Sequence, residues 1–181
     1  MTTKRLLPLL SLLFIICSAN ECKKSTYNPN TDNGLPPATQ TGVGTFACRA
    51  NGEPAIAEGH SASMDGAIFK DSLFFFCYRR IIIAKYYSSM TFAIREKPVE
   101  GMTYQLKADL TNSVRIDTKF DCEGNLLDSY YSFYSGIGEV TLTHLDTVNH
   151  ILSGTFHCTI PVPDCDTVKI TDGRFDMRYF Q

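Results

Sequence analysis

Glu139–Leu145 (EVTLTHL), Ile151–Ile160 (ILSGTFHCTI) and Gly173–Phe180 (GRFDMRYF) carry the clearest strand pattern in the chain. In the first stretch Val140, Leu142 and His144 alternate with Thr141, Thr143 and Leu145. In the second, Leu152, Gly154, Phe156, Cys158 and Ile160 share one face. In the third, Phe175, Met177 and Tyr179 stand opposite Arg174, Asp176 and Arg178. Alternation at every second residue marks half-buried strands, because successive side chains leave a pleated backbone on opposite sides. Asp146–Asn149 and the Pro161–Asp166 loop (PVPDCD) supply turns between them. Parity predicts that Leu152, Phe156, Phe175, Met177 and Tyr179 are buried. It sends His157, Arg174, Asp176 and Arg178 toward water.

Thr45–Asn51 also alternates, with Phe46, Cys48 and Ala50 on one face. Asn51-Gly52 is a strong hairpin signal, with a short return strand near Pro54–Ala57. Leu73–Arg79, Ile81–Tyr87 and Met90–Ile94 are dense in aromatic and β-branched residues and read as buried strands. A buried helix through Ile81–Tyr87 is the competing reading. Met102–Leu106, Val114–Phe120, Tyr130–Tyr134 and Thr167–Thr171 are further strand candidates, and Asp121–Asn125 is a turn. The sum is an all-β domain of eight to ten short strands, an antiparallel β-sandwich or half-open barrel.

The N-terminus is an address rather than part of this fold. Lys4 and Arg5 precede an apolar run from Leu6 to Cys17, and small or polar residues follow. That is the layout of a secretory signal peptide, and the run is too short for a comfortable membrane span. Residues 1–21 are read as the signal peptide, 22–44 as a flexible tether and 45–181 as one β domain. The tether (KKSTYNPNTDNGLPPATQTGVG after Cys22) has few large apolar side chains with which to offset its ordering entropy. Cys22-Lys23-Lys24 followed by this polar stretch marks Cys22 as the lipidation site, with Cys17 as the alternative. Cleavage after Ala19 to give a soluble periplasmic or secreted protein and an uncleaved anchor are the other readings.

The 181 residues are 44% hydrophobic and 20% charged with a formal net charge of -2. That leaves room for one core, rules out collagen and coiled coil, and argues against general nucleic-acid binding.

Three segments carry a resemblance. They are LPPATQTGVGTFACRANGE at Leu35–Glu53, LDTVNHILSGTF at Leu145–Phe156 and VKITDGRFDMRY at Val168–Tyr179. Together they resemble an uncharacterised family of small Gram-negative envelope lipoproteins. That family has a tether ending in LPPATQTG, a first strand ending in VNG and a closing GTF…ITDGRFD hairpin. This chain departs from the pattern at Pro54-Ala55-Ile56, where the family usually has an aromatic residue after the turn. The resemblance implies an envelope location and a β fold, and it implies no activity.

Of the 7 cysteines, five remain once Cys17 and Cys22 are set aside, and export makes disulfides the default reading. Cys158 and Cys165 flank the Pro161–Pro163 loop and are the first candidate pair. Cys48 and Cys77 are a second pair, weighed against buried thiols, and Cys122 is the candidate exposed thiol. His60, His144, His150 and His157 show no metal spacing, and neighbouring His157 and Cys158 point to opposite faces of a strand. Asp164, Asp166, Asp172 and Asp176 read as turn chemistry and a solvated face. No nucleophile elbow, P-loop or dinucleotide fingerprint is present in the sequence. The reading is a non-enzymatic envelope lipoprotein with no cofactor, held to the membrane by its lipid. It binds an unknown envelope protein or ligand and no nucleic acid. A lipocalin-like carrier and an envelope hydrolase are the alternatives.

Overall fold

A computed structural model of the chain describes residues 34–57, 64–70, 72–83, 86–108, 111–118, 132–163 and 165–180. The leader, Cys17, Cys22 and the Asp121–Asn125 turn lie outside the described residues. Ten strands follow in order: β1 (Thr45–Ala50), β2 (Glu53–Ile56), β3 (Met64–Phe69), β4 (Ser72–Ile83), β5 (Tyr86–Ile94), β6 (Thr103–Leu106), β7 (Asn112–Thr118), β8 (Ser132–Asp146), β9 (Ile151–Ile160) and β10 (Val168–Arg178). They form one antiparallel sheet in the order β2-β1-β10-β9-β8-β7-β5-β4-β3, with β6 alongside β8.

The sheet curls into a half-barrel. β8 is the spine: its first residues pair with β7, its later ones with β6, and its other edge with β9. The far end returns to the start, where Phe180 bridges Ala67 of β3 in parallel. The Phe180 N–H donates to the Gly66 carbonyl at 2.7 Å, and its carbonyl accepts from the Ile68 N–H at 3.0 Å. Register shifts in the β1/β10, β10/β9 and β8/β9 ladders bend the strands locally, as bulges do.

The predicted core faces hold. Leu152, Phe156, Phe175, Met177 and Tyr179 are all buried. Five phenylalanines from five strands cross the interior. Phe75 stacks on Phe92 with centroids 4.7 Å apart and leans on Phe175 at 4.5 Å. Phe156 meets Phe46 at 5.1 Å and the edge of Phe92 at 4.9 Å. Offset and tilted pairs of this kind suit the ring quadrupoles.

The two Gly-x-Phe repeats of β9 and β10 explain how these rings fit. Gly173 pairs with Phe156, and Phe175 with Gly154. A Cβ on Gly154 would stand 2.5 Å from Phe175 Cζ, and one on Gly173 would stand 2.5 Å from Phe156 Cδ2. Each ring therefore lies over the glycine opposite, and neither glycine tolerates a side chain.

Several boundaries move from the sequence reading. Ile81–Tyr87 is neither a helix nor a separate strand: its first three residues end β4, and Tyr86 and Tyr87 begin β5. Tyr130–Tyr134 and Glu139–Leu145 belong largely to the single β8. Thr167–Thr171 and the last segment merge into β10 across a bulge. The Asn51-Gly52 hairpin forms with positive φ at both residues, 51° and 89°. The larger change is at the domain boundary. Residues 35–44, read as tether, pack on the sheet, with Leu35 1% exposed.

Gly154→Ala should cost about 1–3 kcal/mol through overpacking against Phe175, well above an exposed alanine substitution. Denaturant unfolding curves at matched pH provide the check.

Candidate functional site

Asp176 is the centre of the most elaborated polar site among the described residues. Its neighbours Phe175 and Met177 face the core, so its own side chain leaves the opposite face of β10. The sequence reading sent it to water. It is instead 1% exposed, because residues 35–44 form a strap across that face.

The strap supplies what a buried carboxylate requires. Thr39 Oγ1 donates to Asp176 Oδ2 at 2.7 Å, and the Thr41 N–H donates to the same oxygen at 3.0 Å. The Gly42 N–H donates to Oδ1 at 2.7 Å, and the Val43 N–H makes a longer bond to Oδ2 at 3.4 Å. From the sheet side, Ser153 Oγ donates to Oδ1 at 2.8 Å. Successive backbone N–H groups closing on one anion form a nest. Burial pushes the Asp176 carboxyl up, but the bonds from Thr39, Thr41, Gly42 and Ser153 outweigh it and hold it below its ordinary value.

Other contacts extend the strap along the sheet. Arg174 Nη1 donates to the Pro36 carbonyl at 3.0 Å, and Gln40 Nε2 reaches the Thr143 carbonyl of β8 at 3.0 Å. A Cβ on Gly42 would come within 3.2 Å of Arg178 Cγ and Ile151 Cγ1, so the strap lies close to both strands. The Gly44 N–H then donates to the Asp176 carbonyl at 2.9 Å and leads into β1. Around Asp176 the charged groups are Arg174 and Arg178 on its own strand. Beyond Ser153 lies His144 of β8, whose Nδ1 is 3.2 Å from Glu100 Oε2. The strap itself carries no charge.

Beside the strap is an open groove of about 410 Å³ between Ala38, Glu139, His157, Asp172 and Arg174. Its charges are partnered within the protein. Glu139 accepts from Gln105 Nε2 at 2.7 Å and lies 3.9 Å from His157 Nε2. Asp172 lies 3.6 Å from Arg49 Nε. His157 and Arg178 are exposed, as parity predicts, and Arg174 is half-buried under the strap. Inside the half-barrel, Leu73, Phe75, Met90, Phe92 and Ile94 of the aromatic block are fully buried and pack in the core.

The cysteine pairs expected from the sequence do not form. Cys48 and Cys158 are buried thiols rather than halves of a cystine, which removes both the Cys158–Cys165 and the Cys48–Cys77 pairing. For the first pair the reason is parity: Cys158 faces the core, whereas Cys165 sits in the loop beyond β9. Cys165 is disulfide-bonded, to a cysteine other than these two. Cys122 lies outside the described residues. Among the described residues no group of three or more His, Cys, Asp or Glu is placed to hold a metal. No described helix is long and apolar enough to cross a membrane.

The sequence reading missed the strap. Its one advance signal is that LPPATQTG and ITDGRFD, singled out separately, turn out to be the two sides of a single contact. No model of a known protein family, no curated protein and no solved structure matches the chain.

Asp176→Asn should lower stability by about 3 kcal/mol at neutral pH, since one amide oxygen cannot serve donors arriving at both carboxylate oxygens. The folded carboxyl titrates below its unfolded value of about 3.9, so its contribution is complete above that pH and fades as pH falls through the folded value. The variant should therefore lose part of the acid dependence of unfolding below about pH 4. Burial pushes the Cys158 thiol up to about 12, so it should resist iodoacetamide in the native protein and react once denatured. Mass spectrometry of alkylated samples reads the difference.

Proposed function

We propose that the protein is a non-enzymatic lipoprotein of the cell envelope. In this reading the half-barrel is held at a membrane through acylated Cys22 and serves as a binding or structural module for an envelope partner. The observation that carries it is the fixed strap. The segment that follows the leader is locked to the barrel at Asp176, so whatever fixes Cys22 also positions the barrel. Only 12 residues, 23–34, separate Cys22 from Leu35. Their full extension is about 40 Å at 3.3–3.6 Å per residue, which bounds the distance from anchor to barrel.

The filled aromatic interior supports recognition at the surface over carriage inside a cavity. β folds commonly present such surfaces on loops held by a rigid sheet.

Intact-mass analysis of membrane fractions should find a mature chain beginning at acylated Cys22, and Cys22→Ala should release the domain from the membrane. An unmodified mature chain beginning at Asn20 would contradict the anchor.

A further inference from the structure

We propose that the strap is a releasable clasp, giving the anchored half-barrel two leash lengths, one docked and one extended. This rests on the reading of Cys22 as the membrane-attached residue. The strap is built to leave without taking the barrel with it. Its large apolar residue, Leu35, is buried on the sheet but is not part of the core cluster. Its bonds run to the outer face, and most converge on a single carboxylate. Contacts that share one acceptor are lost together, which makes docking close to two-state and places it at the low end of local stability.

The load path has the same logic. Tension from the N-terminal side meets Leu35 and the Arg174–Pro36 bond first, then the bonds of Thr39, Thr41, Gly42 and Val43 to Asp176. It next meets Gly42 and Gly44, whose φ values of 71° and 83° make them natural pivots. Peeling then stops at β1, which is hydrogen-bonded to β10 on one edge and β2 on the other. Release adds residues 35–44 to the leash. The span from Cys22 grows from 12 to 22 residues, or from about 40 Å to about 75 Å at full extension. The freed face exposes Ile151, Ser153 and Asp176, which the strap covers when docked.

The experiment is hydrogen exchange read by mass spectrometry on the full mature chain in lipid vesicles, wild type against Asp176→Asn. The expected result is that peptides covering 35–44 lose most of their protection and exchange at least about tenfold faster, while peptides from β9 and β10 stay strongly protected, their slow exchange rising only with the loss of global stability. Neutron reflectometry on supported bilayers should then find the variant's barrel farther from the membrane. Thr39→Val removes one donor only and should speed strap exchange by a smaller factor, which preserves the test if Asp176→Asn folds poorly. Strap and barrel peptides that exchange with the same protection in both wild type and variant, or no acceleration of the strap in either variant, would overturn the clasp. An unacylated chain overturns the leash and the anchor reading together. An acylated chain whose strap exchanges no faster in the variants overturns the leash alone.

Discussion

A carboxylate removed from water on the outside of a sheet must find donors, and Asp176 finds most of its donors in a segment more than 130 residues earlier in the chain. This single requirement ties the first described residues to the last strand. It orders a polar stretch that has little apolar surface to bury. It also fixes where the N-terminal segment leaves the barrel. Ser153 completes the set from β9, so the same carboxylate links strap, β9 and β10.

Beneath that face, a different constraint shapes the barrel. Five large rings must share one interior, and two of them gain room by lying over glycines on the neighbouring strand. The Gly-x-Phe repeats at Gly154 and Gly173 thus do for the inside what Asp176 does for the outside. Both sets of residues sit on β9 and β10. Packing and polar satisfaction are therefore coupled across a single pair of strands, and a register slip there would disturb both.

Much of the fold was legible because it is carried by parity. Strands β1, β9 and β10 alternate cleanly, and their inward residues were identified correctly. Parity could not reveal that Asp176 is buried, since it reports which face a side chain leaves and not what covers that face. The strap was misread for a related reason: a stretch with few large apolar side chains does not show that its backbone N–H groups have an anion to bind. The joining of two segments into β8 was hidden by Gly136 and Gly138, which look like breakers but sit where neighbouring backbones approach closely. β3 went unassigned because Met64–Phe69 shows no clear alternation. The Cys158–Cys165 pair failed because proximity in sequence across a loop says nothing about which way each thiol points.

An ionised, buried Asp176 holds the strap in place. The most direct measurement is a carbon-detected NMR titration of the Asp176 carboxyl, followed alongside the amide signals of Thr41 and Gly42. The carboxyl should stay ionised to below the ordinary carboxylate range, with both amide signals shifting as it finally protonates. A carboxyl that titrates at or above about 3.9, or amides indifferent to its protonation, would contradict this role of Asp176.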